Sequence, residues 1–200
     1  GTVQLSGSTT GSGNVGLSFN YNDVANNFTA QITDADNVSL TSATGQLSVT
    51  AQSSAWVQSF AVGAGAAQSF SGMGSLSVNS ISNTVVAQAS SALPGILMGN
   101  SLSVTASDTS HIDSLAGSVV IAKGQAAIGA AIAVNTIANP VTASLSGLDI
   151  QFGSDTTVAA SNASQIRTLA ASAGGSGGFA GDGAATSAHI ANTTIASITN

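Results

Sequence analysis

Four copies of one short pattern constrain this chain more than any other feature. Centred on an asparagine, they read VANNFTA at Asn26, ISNTVVA at Asn83, IANPVTA at Asn139 and IANTTIA at Asn192. Each has an aliphatic residue two positions before the Asn (Val24, Ile81, Ile137, Ile190) and an alanine four after it (Ala30, Ala87, Ala143, Ala196). The intervals are 57, 56 and 53 residues. Spacing of this kind belongs to repeat arrays, whose units bury a continuous core only by stacking on their neighbours.

A second segment recurs between the anchors, in QLSVTAQSSAWVQSFA, SLSVTASDTSHIDSLA and TTVAASNASQIRTLAA, aligned on Val57, Ile112 and Ile166. The alternation of Leu102, Val104 and Ala106 with Ser101, Ser103 and Thr105 is the period of a strand with one buried and one wet face. Both segment types place a small polar residue two after an aliphatic one, as in Val57/Ser59, Ile81/Asn83 and Ile112/Ser114. That likeness predicts two coils of roughly 27 residues in each long period, with three coils of about 18 as the alternative. Gly/Ala-rich connectors, such as AVGAGAAQSFSGMGS, read as strands with small side chains and a tight turn. Residues 126–134 admit a helical turn instead.

Charged residues make up 5% of the 200 residues, aromatics 4%, and the net charge is −6. Stacked coils bring equivalent side chains together at a strand spacing of about 4.8 Å, so a buried column accepts Val, Ile, Leu and Ala but not like charges. A nucleic-acid partner is excluded on charge, since phosphate binding depends on Lys and Arg and the chain has only Lys123 and Arg167. The absence of cysteine excludes a disulfide scaffold. No membrane span is expected, because the most apolar window, 126–134, is too short. With no polar capping unit at either end, residues 1–200 are expected to be a single β-solenoid segment of a longer array.

Alternation parity turns the anchor Asn inward at a chain corner, where its amide must find partners. His111 and His189 stand in different repeats without metal-ligand spacing. Asp34 and Asp36 alternate as a cation pair would, but no further ligands lie nearby. GGFAGD, 177–182, approaches a calcium-binding repeat but occurs once. Asp108 and Asp113 are placed on an outer face. They are the nearest approach to the paired carboxylates of a glycosidase, yet the bases lie far away in sequence. Asp113 reads as a solvated charge. Among the aromatics, Phe28 falls on the buried parity, whereas Trp56 points outward as a contact residue. No catalytic, metal or cofactor site is expected, and the ligand site is unknown. The chain is expected not to be an enzyme.

The segments SVNSISNTVVAQA and AVNTIANPVTASL, alternating with SLSVTASDTSHIDSLAG and Gly/Ala-rich connectors, resemble the repeat regions of large bacterial filamentous adhesins. These are the leukotoxin-like filamentous adhesins and other two-partner-secreted or autotransporter passengers. The resemblance implies an all-β, right-handed parallel β-helix with repeats of about 55 residues. It implies a secreted structural and adhesive shaft at the bacterial cell surface, in a setting of cell adhesion or biofilm. The partners expected are host or bacterial surface glycans or proteins, together with end-to-end or lateral self-association. A self-assembling extracellular fibre subunit is the alternative, and a polysaccharide-cleaving β-helix enzyme a more distant one. Ice binding is disfavoured because Thr does not recur as TxT at the coil spacing.

Overall fold

The computed structural model describes residues 2–7, 12–34, 37–40 and 44–199, and among these there is no helix. The strands, in chain order, are β1 (Thr2–Gly7), β2 (Gly13–Val24), β3 (Asn27–Thr33), β4 (Asn37–Ser39), β5 (Gln46–Ser53), β6 (Trp56–Ala67), β7 (Phe70–Ile81) and β8 (Thr84–Gly99). They continue with β9 (Ser101–Asp108), β10 (His111–Ala122), β11 (Ala126–Ile137), β12 (Pro140–Phe152), β13 (Thr156–Asn162), β14 (Gln165–Ser176), β15 (Phe179–Ile190) and β16 (Thr193–Thr199). The Ala-rich 126–134 run is therefore extended in β11, not helical.

Four sheets result, all of them parallel. Sheet A has the order β1-β6-β10-β14, sheet B β15-β11-β7-β2, sheet C β16-β12-β8-β3 with β4 also on β8, and sheet D β13-β9-β5. The chain visits D, A, B and C in turn and then re-enters D. Val57, Ile112 and Ile166 are neighbours across sheet A, and Ile81, Ile137 and Ile190 across sheet B.

Strand pairing thus links residues one full repeat apart, and this overturns both the 27-residue and the 18-residue coil. The half-period likeness has another origin. Val57, Ile112 and Ile166 open sheet A, whereas Val24, Ile81 and Ile137 close sheet B, and the two sets pack against each other. They look alike because they fill one apolar space from opposite sides.

The interior has two parts. Where sheets C and D meet, Val49, Val85, Leu97, Leu102, Val104, Val141 and Leu145 form the main apolar core, with Phe28 half-buried against it. Where A and B lie face to face, the filling between the corner row of Val57 and Ile81 and the pair Met73 and Val120 is small: Ser59, Ala61, Ser71, Ser75, Ser77, Ala116, Ala127, Ala131 and Ala133 are all buried. A Cβ on Gly63 would stand 3.0 Å from the Gly74 carbonyl oxygen, so this glycine sets how closely the two sheets approach.

Irregularity collects in sheet C. The β8–β12 register shifts between Ser146 and Leu148. Gly147 sits there at a φ of 64°, where a Cβ would collide with the Ser91 carbonyl. Asp34 adopts a φ of 53° at the matching point of the first repeat, a conformation Asp tolerates better than most residues. Its proposed cation partner, Asp36, lies outside the described residues.

Candidate functional site

The anchor asparagines fulfil the expectation of an inward corner amide. Asn83 and Asn139 are fully buried. Each Asn Oδ1 accepts the backbone N–H of the preceding anchor: Asn83 from Asn26 at 3.0 Å, Asn139 from Asn83 at 2.7 Å and Asn192 from Asn139 at 2.8 Å. Asn26 Nδ2 also donates to Asn83 Oδ1, at 3.3 Å, whereas the Nδ2 of the other three reaches across the interior to the opposite corner, where sheet D turns into sheet A. Asn83 donates to Ser53 Oγ at 3.1 Å, Asn139 to Asp108 Oδ2 at 2.8 Å and Asn192 to Asn162 Oδ1 at 2.8 Å. These bonds tie two corners of one turn together, so the anchors are structural.

Asp108 is corrected by the same geometry. It does not lie on an outer face but in the interior, 1% exposed. Continuing the inward parity of Leu102, Val104 and Ala106 by one step leads to it. Burial pushes its carboxyl up. The Ser110, Asn139, Ser164 and Ser53 side chains outweigh that by donating to the charged form, so its pKa lies below the ordinary aspartate value. Ser110 Oγ donates at 2.7 Å, Ser164 Oγ at 2.8 Å and the Ser110 backbone N–H at 3.2 Å. Dense donation of this kind is what a buried anion without a cation needs.

The outer face of sheet A gathers the chain's rare side chains. Register places Trp56, His111 and Gln165 in one row, Gln58, Asp113 and Arg167 in the next that faces outward, and Phe60, Leu115 and Leu169 in the one after. The only tryptophan, the only arginine and one of two histidines thus share a small patch, although Trp56 and Arg167 stand two repeats apart in sequence. Trp56 is 66% exposed, as expected of an outward aromatic.

Asp113 is not a free solvated charge. Its Oδ1 accepts from His111 Nε2 at 2.8 Å and its Oδ2 from Trp56 Nε1 at 3.2 Å. Because an ionised carboxylate only accepts, the His111 proton sits on Nε2. The indole and imidazole meet edge to face, with centroids 6.4 Å apart and planes at 63°. Asp113 therefore fixes the Trp56 ring in an exposed position. Beside it lies an open hollow of about 220 Å³ lined by Phe60, Asp113, Ser114, Leu115, Arg167, Thr168 and Leu169.

An apolar ring face with Gln58 beside it and Gln165 and Arg167 two strands away on the same face suits a flat, polyhydroxylated or amide-bearing ligand, which can stack on carbon and bond at its rim. The distance between Asp113 and Arg167 in sequence hid this grouping, since one repeat of separation is adjacency here. Other sequence candidates stay apart. His189 lies on sheet B, far along the chain from His111, and Asp108, at the end of sheet D, faces the interior whereas Asp113 on sheet A faces outward. Asp182 of the GGFAGD stretch accepts from Ser172 Oγ at 3.2 Å. Among the described residues no group of three His, Cys, Asp or Glu side chains comes together as a metal ligand set, and no helix is long and apolar enough to cross a membrane. Compared with known proteins, the chain matches no family model, and neither curated proteins nor solved structures give a match.

Proposed function

We propose that the chain is a right-handed parallel β-helix with one repeat of about 55 residues per turn, serving as a non-catalytic shaft segment of a secreted bacterial surface adhesin. The observation that carries this reading is the one-repeat register, held in all four sheets and again at the corners. His111 N–H, for example, donates to the Ala55 carbonyl at 2.8 Å and Gln165 N–H to Ser110 at 2.9 Å. Each turn adds about 4.8 Å along the stack, so the strands here rise only about 19 Å and a shaft needs many such repeats. Sheet edges that pair on one side only allow more repeats to be added in the same register. The near absence of charge suits export of an unfolded chain that folds by stacking. The Trp56 patch is the adhesive element in this reading, for surface glycans or proteins.

Antibodies raised against the isolated chain provide the test. Labelling of intact, unpermeabilised source cells is the expected result. Labelling only after lysis contradicts surface display.

A second reading, a self-assembling fibre subunit, is favoured by one observation. Ile190 and Ile198 occupy the register of buried Ile137 and Leu145, yet they are 46% and 60% exposed, an apolar stack face that no strand covers among the described residues. Electron microscopy across a concentration series separates the two. Unbranched filaments support the fibre subunit, and particles that do not lengthen support the shaft segment.

A further inference from the structure

Sheet B is built largely inside out. Apart from Met73 and the corner residues Ile81 and Ile137, its buried inward residues are small or polar, including Ser75, Ser77, Asn79, Ala131, Ala133 and Asn135. Its outward residues are large and apolar. Val15 is 77% exposed, Leu17 63%, Phe19 51%, Tyr21 58%, Ile128 46% and Ile132 43%. Register makes these one continuous surface: Phe19, Leu76, Ile132 and Ala185 form one row, and Tyr21, Val78, Val134 and Ser187 the next. The only titratable side chains on the outward rows of this face besides Tyr21 are Asp23 and His189, both in the row nearest the Asn corner. A contiguous apolar patch of this size marks an interaction surface rather than ordinary exposure.

We infer that this face is where a second copy of the chain docks laterally, face to face. Two features select a copy as the occupant. Four strands about 4.8 Å apart and twelve residues long, at about 3.3 Å each, present roughly 750 Å², close to the roughly 800 Å² per partner of a stable interface. The face is also evenly filled. The rows Phe19, Leu76, Ile132 and Tyr21, Val78, Val134 carry large apolar side chains on three adjacent strands, and the Phe70 and Phe179 rings lie over Gly72 and Gly181. A flat apolar sheet face packs best on another flat sheet face, about 10 Å away, and a second copy of this chain supplies one. With almost no charge on the face, association is driven by apolar burial and is insensitive to salt. This inference needs the sheet B register alone and does not rest on cell-surface display.

The test is sedimentation equilibrium of the full 200-residue chain, with Phe19→Asp/Ile132→Asp and, separately, Val15→Lys/Ile128→Lys. Ile195→Asp/Ile198→Asp at the open end of the stack serves as the control. The expected result is a wild-type dimer whose self-association weakens at least about tenfold in both face variants, with unchanged circular dichroism, while the end variant still dimerises. A monomeric wild type overturns the inference. In that case binding to phosphatidylcholine vesicles identifies a lipid surface as the occupant, and no vesicle binding leaves a different protein. Dimers that survive both face variants, or that only the end variant disrupts, overturn it equally, because association then runs through the edges.

Discussion

The C/D half and the A/B half of each turn solve the burial problem in opposite ways. In C/D, branched side chains point inward, Leu102, Val104 and Leu97 among them, and the outward positions carry Ser, Thr and Gln. In A/B most of the interior is filled by Ser, Ala, Gly and Asn, with Met73, Val120 and the corner row of Val57, Ile81, Ile112 and Ile137 as the larger exceptions, while many Val, Leu, Ile and Phe side chains face outward. The first arrangement draws its stability from apolar transfer, and the second from close approach and side-chain ladders. Asn22 Nδ2 donates to Asn79 at 2.7 Å, and Asn79 to Asn135 at 2.7 Å. Ser59, Ser77 and Ser114 link across the gap between the sheets at 2.6 and 3.0 Å. A repeat array tolerates such a polar interior because an amide that meets its own copy one strand away finds a matched donor or acceptor there.

This contrast is open to direct attack. Leu97→Ala in the C/D core should cost about 2–5 kcal/mol, the value for a fully buried leucine that leaves a cavity. Chemical denaturation measures it, and a loss below about 1 kcal/mol contradicts the apolar account of this half. Gly63→Val should cost about 1–3 kcal/mol by forcing sheets A and B apart. The comparison is sharpest against Ala64→Val, its outward neighbour, which should leave the denaturation midpoint unchanged.

Asp108 gives the pH dependence. Its folded pKa lies below the ordinary aspartate value of about 3.9 that it regains on unfolding. Its contribution is therefore complete above that unfolded value and is lost as pH falls through the lower, folded one. Asp108→Asn places at this position the residue that Asn162 supplies one repeat on. The variant should fold, and its stability should fall less steeply than wild type below about pH 4. Equal acid slopes would show that the carboxylate contributes nothing in the interior. The smallest effect is a gain. The Asn22–Asn79–Asn135 ladder stops at Ala188, leaving the buried Asn135 Nδ2 without a partner. Ala188→Asn extends it and should stabilise by about 1 kcal/mol at most, detectable as a small rise in midpoint.

Strands, parallel stacking and the inward anchor Asn were legible in the sequence because each depends on a repeated residue type. Coil length was not. The pairs Ile81/Asn83 and Val57/Ser59 line opposite walls of one interior, and a pattern of residue types does not distinguish facing from stacking. Charge misled at Asp108: it suggested the surface although alternation from Leu102 pointed inward. Alternation also reverses its meaning in sheet B, where Leu76 and Val78 are the outer residues and Ser77 and Asn79 the inner ones. The Trp56 patch was half visible. An outward tryptophan was expected, but His111, Asp113 and Arg167 join it only once the repeat length is known.

The central claim is that one repeat makes one turn, and the chain's lack of cysteine makes it accessible to cross-linking. Thr50 and Thr105 are outward neighbours across sheet D, their hydroxyls 3.1 Å apart. Thr50→Cys/Thr105→Cys should cross-link with a short bis-maleimide in the folded chain and fail to do so in denaturant. Thr50→Cys/Val78→Cys, which a turn of half the length would bring together, should not react. Efficient cross-linking of the second pair and not the first would contradict the account.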